Sequence, residues 1–491
     1  MNLKGMAIAA SAALLASFPA FAGKQSQGAI RFEQINPVQQ PAASTAKFGC
    51  ETRFFDISKN GGRVPCYSPQ TIRAAYGLTD LIAGGADGRG RTIVILDAFG
   101  SPTALADLQA FDAVFGLPDP PSFTIVTMPG TPAFNPKDGN MVGWAEETSL
   151  DVQWSHAVAP GAKIVLVAAK SNSDEDLTAG LDFAVQNRLG DVISMSFGES
   201  EAFLTDAAGR AVVKAWQRGF KDARNRRITL FVSSGDEGST NTADNQGDVF
   251  PFQNVSFPAS STHVTGVGGT NLFFGVGDTV TGNALPVGDG GSYIRERTWN
   301  DEPQGIAAAG GGGVSVLFPE PGFQHDALPR SVESTLHGRR GVPDVSYNAG
   351  VVGGVVVHLS QAITGIPGGA FFVFGGTSAG APQWSGIIAD INSAIGKSVG
   401  FINPQLYKLG KFGVTAGLFH DITGPGASLT TTDNGFCFFT VPNPPGTFAC
   451  VPGFNATPGF DLTTGWGTPK FGHLGSLLAA PDGDHDDDDD D

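Results

Sequence analysis

The apolar residues of this chain gather in blocks. "RTIVILDA" (91–98), "AKIVLVAA" (162–169), "DVISMSFG" (191–198), "ITLFVSSGD" (228–236), "HVTGVGG" (263–269) and "GAFFVFGG" (369–376) are strand-length, and most are continuous rather than alternating. Parallel strands covered on both faces read this way. Helix-length segments separate them at 102–117, 145–159, 176–188, 206–225 and 379–396. This β-α-β order predicts an α/β fold: one doubly wound, mostly parallel sheet with helices on both faces. Ligands of such a sheet bind beyond the carboxyl ends of its strands. Residues 275–340, including "AAAGGGGVSV", are glycine-rich and lack periodicity, so long surface loops are expected there. There is no internal repeat, and one domain over 67–480 accounts for the pattern better than two.

The ends of the chain differ from this body. Residues 1–22 combine Lys4, an apolar stretch from Met6 to Phe18 and the small-residue pattern Ala20-Phe21-Ala22, which reads as a secretory signal cut after Ala22. The stretch is too short for a membrane span, and no later apolar run approaches that length. A secreted protein, extracellular or periplasmic, is therefore expected. Residues 23–66 form a short polar N-terminal segment, and 481–491 an acidic tail expected to be disordered. The formal net charge is −17, and eight aspartates lie in the last ten residues. Setting these aside leaves 39 acidic against 30 basic residues, a balance that excludes nucleic acid as an expected partner. With only 16% charged residues, the body has few ion pairs to lose in acid. Four cysteines in an exported chain suggest disulfides. Proximity in sequence favours Cys50 with Cys66 and Cys437 with Cys450, although four cysteines allow three pairings.

Candidate chemistry begins at Ser378, in the tight turn "FGGTSAGAP" between a strand and a helix. A serine nucleophile needs a base, and no histidine is close in sequence. In "WAEETSLDVQWSHAVAPGAK" (144–163), Glu147 and Asp151 are four residues apart, so a helix puts both carboxylates on one face. Such a pair is often a solvated acidic face, but Leu150, Val152, Trp154, Ala157 and Val158 make this segment largely apolar. His156 lies nine residues after Glu147, about half a turn away around the helix, so the two cannot serve one site. Asp236 in "SSGDEGS" and Asp97 in "IVILDAFG" each end an apolar strand, where open α/β sheets carry functional groups. A turn-forming aspartate is the plainer reading of either.

Taken together, "GGTSAGAP" with Ser378, "AEETSLDVQ" with Glu147 and Asp151, and "SSGDEG" with Asp236 resemble the three site motifs of the sedolisin family. These are secreted serine-carboxyl peptidases of subtilisin-like fold. The likeness runs from "YSPQTIRAAYGL" (from Tyr67) through "VISMSFG", "FPASSTHVTGVGGT", "RRGVPDVSYNA" and "GFINPQLY" to "GFDLTTGWGTP", in the family's order. The resemblance implies a monomer acting on protein or peptide substrates in acid. Ser378 would be the nucleophile, Glu147 its general base, and Asp151 the group that holds Glu147. Asp236 would donate to the oxyanion, which only a protonated carboxyl can do. "ISMSFG" and the glycines 310–313 would border the substrate cleft. Asp97 falls where members often carry a further acid, and Phe197 stands where they often have Trp.

The resemblance also implies one structural calcium ion. Asp421 and Asp461 would supply carboxylates, and Ile422, Thr457 and Gly459 backbone carbonyls, the oxygen donors that a hard cation takes. Members often have Gly at the position of Thr457. Many also carry a long folded prodomain, whereas only about 45 residues here separate the expected signal cut from the likeness, too few and too polar for an independent core.

Two other readings compete. Gly376-Thr377-Ser378-Ala379-Gly380 also satisfies the esterase elbow G-x-S-x-G, with Asp421 and His473 as the following acid and histidine. That reading leaves Glu147, Asp151 and the SGD turn unexplained. The other is a non-catalytic, calcium-stabilised secreted binding protein on a peptidase fold, against which the joint presence of all four site residues argues.

Overall fold

In the computed structural model, the described residues are 66–243, 248–277, 291–423, 433–439 and 448–471, with short stretches at 26–27, 30–35, 48 and 284–285. The expected signal segment and acidic tail lie outside them, as do Cys50 and His473.

The elements that position the site, in chain order, are β1 (Thr92–Ala98), α1 (Ala104–Phe115), β2 (Phe123–Thr127), α2 (Gly139–Val158), β3 (Lys163–Ala169), α3 (Asp174–Gln186), β4 (Val192–Met195), β5 (Phe197–Ser200), α4 (Ala207–Asn225), β6 (Thr229–Ser233), β7 (Thr265–Gly277), β8 (Ser292–Thr298), β9 (Val345–Asn348), β10 (Gly354–Leu359), β11 (Ala370–Gly375) and α5 (Gly380–Ile395). Six strands form a wholly parallel core in the order β7-β6-β4-β1-β3-β2. β9 extends it in parallel along the first half of β7, and β8 pairs antiparallel along the second half. The central strands are buried along most of their length, as their unbroken apolar sequence predicts. Edge strand β2 is half-exposed and escaped the sequence reading.

The block at 369–376 does form a strand, but not in this sheet. β11 belongs to a separate four-stranded sheet and pairs antiparallel with β10. An apolar run reports burial on both faces and says nothing about which strand lies beside it. Helix α2 fills the space between the two sheets. Its Trp154 indole donates to the Val356 carbonyl at 2.9 Å and its Gln153 amide to that of His358 at 2.8 Å, both on β10. On its other side it packs against α5 and β1. This enclosure explains why α2 has no amphipathic stripe: from Glu147 to Val158 its polar and apolar side chains alike are buried. The helix also starts six residues before the expected position, because Asp138 caps it by accepting from Asn140 N at 2.9 Å.

The expectation of surface loops over 275–340 is corrected. The region contains β8, a further strand (Gly313–Pro319) and two short helices, and Ala308, Ala309 and the glycines 310–313 are buried. The glycine run is smooth-walled rather than loose. A Cβ on Gly311 would lie 2.1 Å from the Ser234 carbonyl oxygen, so only glycine allows this approach.

Candidate active site

Three neighbouring strands end at the site. β1 ends next to Asp97, β4 is followed at once by Ser196, and β6 runs through Ser233 into the turn carrying Asp236. This is the carboxyl edge of the parallel sheet, where ligands of such folds bind. Helix α2 crosses the same edge and supplies Glu147 and Asp151 from one face. β11 leads through Gly376, at φ 115°, into a single 3₁₀ turn, Thr377–Ala379, and then into α5. This turn holds Ser378 against α2 and the ends of β6 and β7. Ser378, Glu147, Asp151 and Asp97 are all fully buried, so the paired acids are not a solvated helix face.

Asp236 is tied to the serine turn by its Oδ1. That oxygen accepts from the Thr377 backbone N–H at 2.8 Å and from the Thr377 hydroxyl at 2.9 Å. Its Oδ2 is buried and has no hydrogen-bond partner among the described residues. Burial first, then the neighbouring charge of Glu237, pushes the Asp236 carboxyl well above the ordinary range. The backbone also braces it: Ala309 N–H donates to the Asp236 carbonyl at 2.9 Å and Gly311 N–H to that of Gly235 at 2.8 Å. The glycine run thus props the acidic turn from behind.

The other acids form a row. Asp151 is raised well above its ordinary range by burial, with Asp97 and Glu147 adding like-charge repulsion, while the nearby Ser196 hydroxyl favours its charged form. Asp97 is pushed up to about 7 by burial. Ser196 also contacts the serine turn, its hydroxyl donating to the Ser378 carbonyl at 3.5 Å. Buried like charges this close cannot all ionise, so the row retains protons in acid.

Thr377 and Ser196 were not assigned roles from sequence. Thr377 stands inside the serine motif and Ser196 inside "ISMSFG", but their contacts to Asp236 and Asp151 join segments far apart in the chain. His156 is removed as a rival. Its Nε2 lies 2.7 Å from the Pro118 carbonyl and 3.4 Å from Asp112, and burial lowers it to about 4. Phe197 packs between Trp144 and Trp216, with ring centroids 6.0 Å from each, so its ring fills the core and offers no hydrogen bond.

Of the five expected metal ligands, the carboxylates of Asp421 and Asp461 both face the turn that carries Thr457 and Gly459. Both Asp421 oxygens face the Gly459 N–H, at 3.2 and 3.1 Å, and Asp461 Oδ2 accepts from Thr457 N–H at 3.0 Å. Asp461 Oδ1 is held by the backbone and hydroxyl of Thr463 and Thr464. Burial raises both carboxyls, Asp461 to about 6, and neither forms an ion pair with Lys or Arg among the described residues. Two desolvated carboxylates beside a glycine-containing turn fit a hard cation. Cys437 and Cys450 are disulfide-bonded between these halves, and Cys66 is also disulfide-bonded.

Comparison with known proteins agrees with this architecture. Residues 128–406 match the model of the subtilase family. The chain is 31% identical to kumamolisin of Bacillus sp. (strain MN-32) over 84% of its own length and 64% of kumamolisin. It is 28% identical to sedolisin of Pseudomonas sp. (strain 101) over 79% of its length and 57% of sedolisin. It therefore spans roughly three-fifths of these curated relatives. The solved structure of Pseudomonas sedolisin complexed with two molecules of pseudo-iodotyrostatin superposes with a TM-score of 0.64 at 28% identity, covering 85% of this chain and 99% of that one. The chain belongs to the subtilase family and, within it, to the sedolisins. Its subtilisin-like fold removes the α/β-hydrolase framework that the esterase reading requires.

Proposed function

We propose that this protein is a secreted serine-carboxyl peptidase that hydrolyses peptide bonds in acid. The observation that carries the proposal is the Asp236–Thr377–Ser378 arrangement: a buried carboxyl fixed by one oxygen to the turn that carries a buried serine, with its other oxygen unpartnered among the described residues. Ser378 Oγ attacks the scissile carbonyl to form an acyl-enzyme, and Glu147 takes its proton. Asp151 and Asp97, held neutral by burial, store protons around Glu147 so that it can carry the negative charge. Protonated Asp236 donates from Oδ2 to the oxyanion, and Thr377 keeps that carboxyl turned the right way. Glu147 then returns the proton to the leaving amine, and water hydrolyses the ester by the reverse path. Kumamolisin and sedolisin support the peptidase class, and the signal-like start supports secretion.

The test is incubation with denatured protein at pH 4 and pH 7, alongside a neutral ester. Cleavage confined to acid is expected. Ester hydrolysis at neutral pH without proteolysis would restore the esterase chemistry, and inertness towards both would favour a binding protein.

One calcium ion would be held by the Asp421 and Asp461 carboxylates with the carbonyls of Ile422, Thr457 and Gly459. It would neutralise the buried Asp461 and the half-buried Asp421 and pin the C-terminal segment to the domain. Because a bound ion stabilises only the folded state, chelator should lower the Tm of the wild type and hardly change that of Asp461→Ala. A wild-type melting curve unchanged by chelator rules the site out.

A further inference from the structure

The turn after β6 carries two carboxyls in succession, and the proposed reaction uses only the first. Asp236 is buried, whereas Glu237 keeps partial contact with solvent. The Glu237 side chain does not leave the turn. It folds back on the backbone, where Oε2 accepts from the Asp236 N–H at 3.2 Å. The same oxygen lies 3.8 Å from the position a Cβ on Gly235 would take. The surrounding chain is tied on both sides: Gly235 N–H donates to the Thr377 hydroxyl at 3.1 Å, Gly238 N–H to the Ala309 carbonyl at 2.8 Å, and Thr240 N–H to the Glu237 carbonyl at 3.2 Å. The two acids are therefore held as neighbours.

Carboxyls on adjacent residues of such a turn do not ionise independently. Their surroundings set the order. Glu237 is the wetter of the two, and a backbone N–H receives its charge. Asp236 has Oδ1 filled by Thr377, and its Oδ2 has no donor among the described residues. Burial raises both carboxyls, and at Asp236 the charge of Glu237 raises it further. Among the described residues no Lys, Arg or His acts on either one: Asp236 feels Glu237 and Thr377, and Glu237 feels the backbone of its own turn. The other titratable groups of the site, Glu147, Asp151 and Asp97, are also acids and offset nothing.

We infer that Glu237 is a positioning residue for the proton of Asp236: it ionises first, and its anchored carboxylate then keeps that proton on Oδ2, extending the donor's range upward in pH. This inference rests on the peptidase reading above. As pH rises, the pair gives one proton to water, from Glu237. A second loss, from Asp236, puts two negative charges in one turn, so it is deferred to higher pH, where it ends activity. Glu237 acts only through Asp236. With Glu237 uncharged, Asp236 loses its proton at lower pH, and the alkaline limb of the profile moves down.

The experiment compares kcat against pH for the full-length wild type, Glu237→Gln and Glu237→Asp on denatured protein, with a thermal melt at each pH to correct for unfolding. Glutamine keeps the shape and an acceptor for the Asp236 N–H without the charge, and aspartate keeps the charge. Glu237→Gln is expected to move the alkaline limb down by about one pH unit or more, the usual scale for one nearby charge. The acid limb should stay in place, because it belongs to the Glu147 cluster. Glu237→Asp should recover most of the shift. Glu237→Ser, a second uncharged variant, carries the same expectation if Glu237→Gln does not fold. An unmoved alkaline limb in a folded, uncharged variant overturns this inference alone, as does an equal downward shift in Glu237→Asp. Loss of activity at every pH in folded Glu237→Gln also overturns it, since the residue would then do more than hold a proton. A wild type that cuts denatured protein at no pH overturns the peptidase reading, and this inference with it.

Discussion

Asp236→Ala is expected to lower kcat by about 10²–10³-fold, the usual cost of removing one oxyanion donor. The structural reason is specific. Asp236 Oδ1 is occupied by both donors of Thr377, so only Oδ2 is available to an incoming oxyanion, and it can donate only when protonated. Its carboxyl is raised by burial and by Glu237, so the donor persists above the pH where an exposed aspartate would ionise. The sign follows directly. The active form is present below the raised value and is lost as pH rises through it, which sets the alkaline limb of the profile. The acid limb comes from protonation of the base within the Glu147–Asp151–Asp97 cluster, so both limbs belong to interacting groups. Asp236→Asn carries a permanent N–H donor that does not titrate. Whatever activity it retains should decline less steeply on the alkaline side than wild type, after correction for unfolding. A kcat profile with an unchanged alkaline limb in folded Asp236→Asn would falsify the role given to Asp236.

The second large effect is expected at Glu147. Glu147→Gln preserves shape but cannot accept the serine proton, so kcat should fall by at least ~10²-fold with KM little changed. Folding should be nearly unaffected, because the substitution replaces a fully buried carboxyl with a neutral group of the same shape, which is easier to desolvate. His156→Ala should behave in the opposite way. It deletes a buried ring held by the Pro118 carbonyl, lowering Tm while the folded fraction keeps its activity. Steady-state kinetics together with thermal melts separate the two. Full activity in Glu147→Gln would remove the carboxylate base from the mechanism.

The sequence alone determined the kind of molecule. Unbroken apolar blocks such as 91–98 and 162–169 read as strands buried on both faces, and the helix-length segments between them made a parallel sheet the expected arrangement. The four-residue spacing of Glu147 and Asp151 put two carboxyls on one helical face, because local geometry needs no knowledge of the rest of the chain. The serine turn and the SGD turn were legible as motifs, and their joint order carried the family.

Tertiary structure decided everything that depends on contact between distant segments. It placed β11 in a second sheet, since an apolar run encodes burial and not its partner. It turned the glycines 310–313 from expected loop into the packed support of Asp236, because a glycine allowed by flexibility and one required by close approach look alike in sequence. It enclosed α2 between two sheets, and this removal of water, more than any residue's identity, raises Asp151 and Asp97. The contacts of Thr377 with Asp236 and of Ser196 with the Ser378 turn span well over a hundred residues. Local spacing rules reach only one or two helical turns, so contacts of that range exist only once the chain has folded.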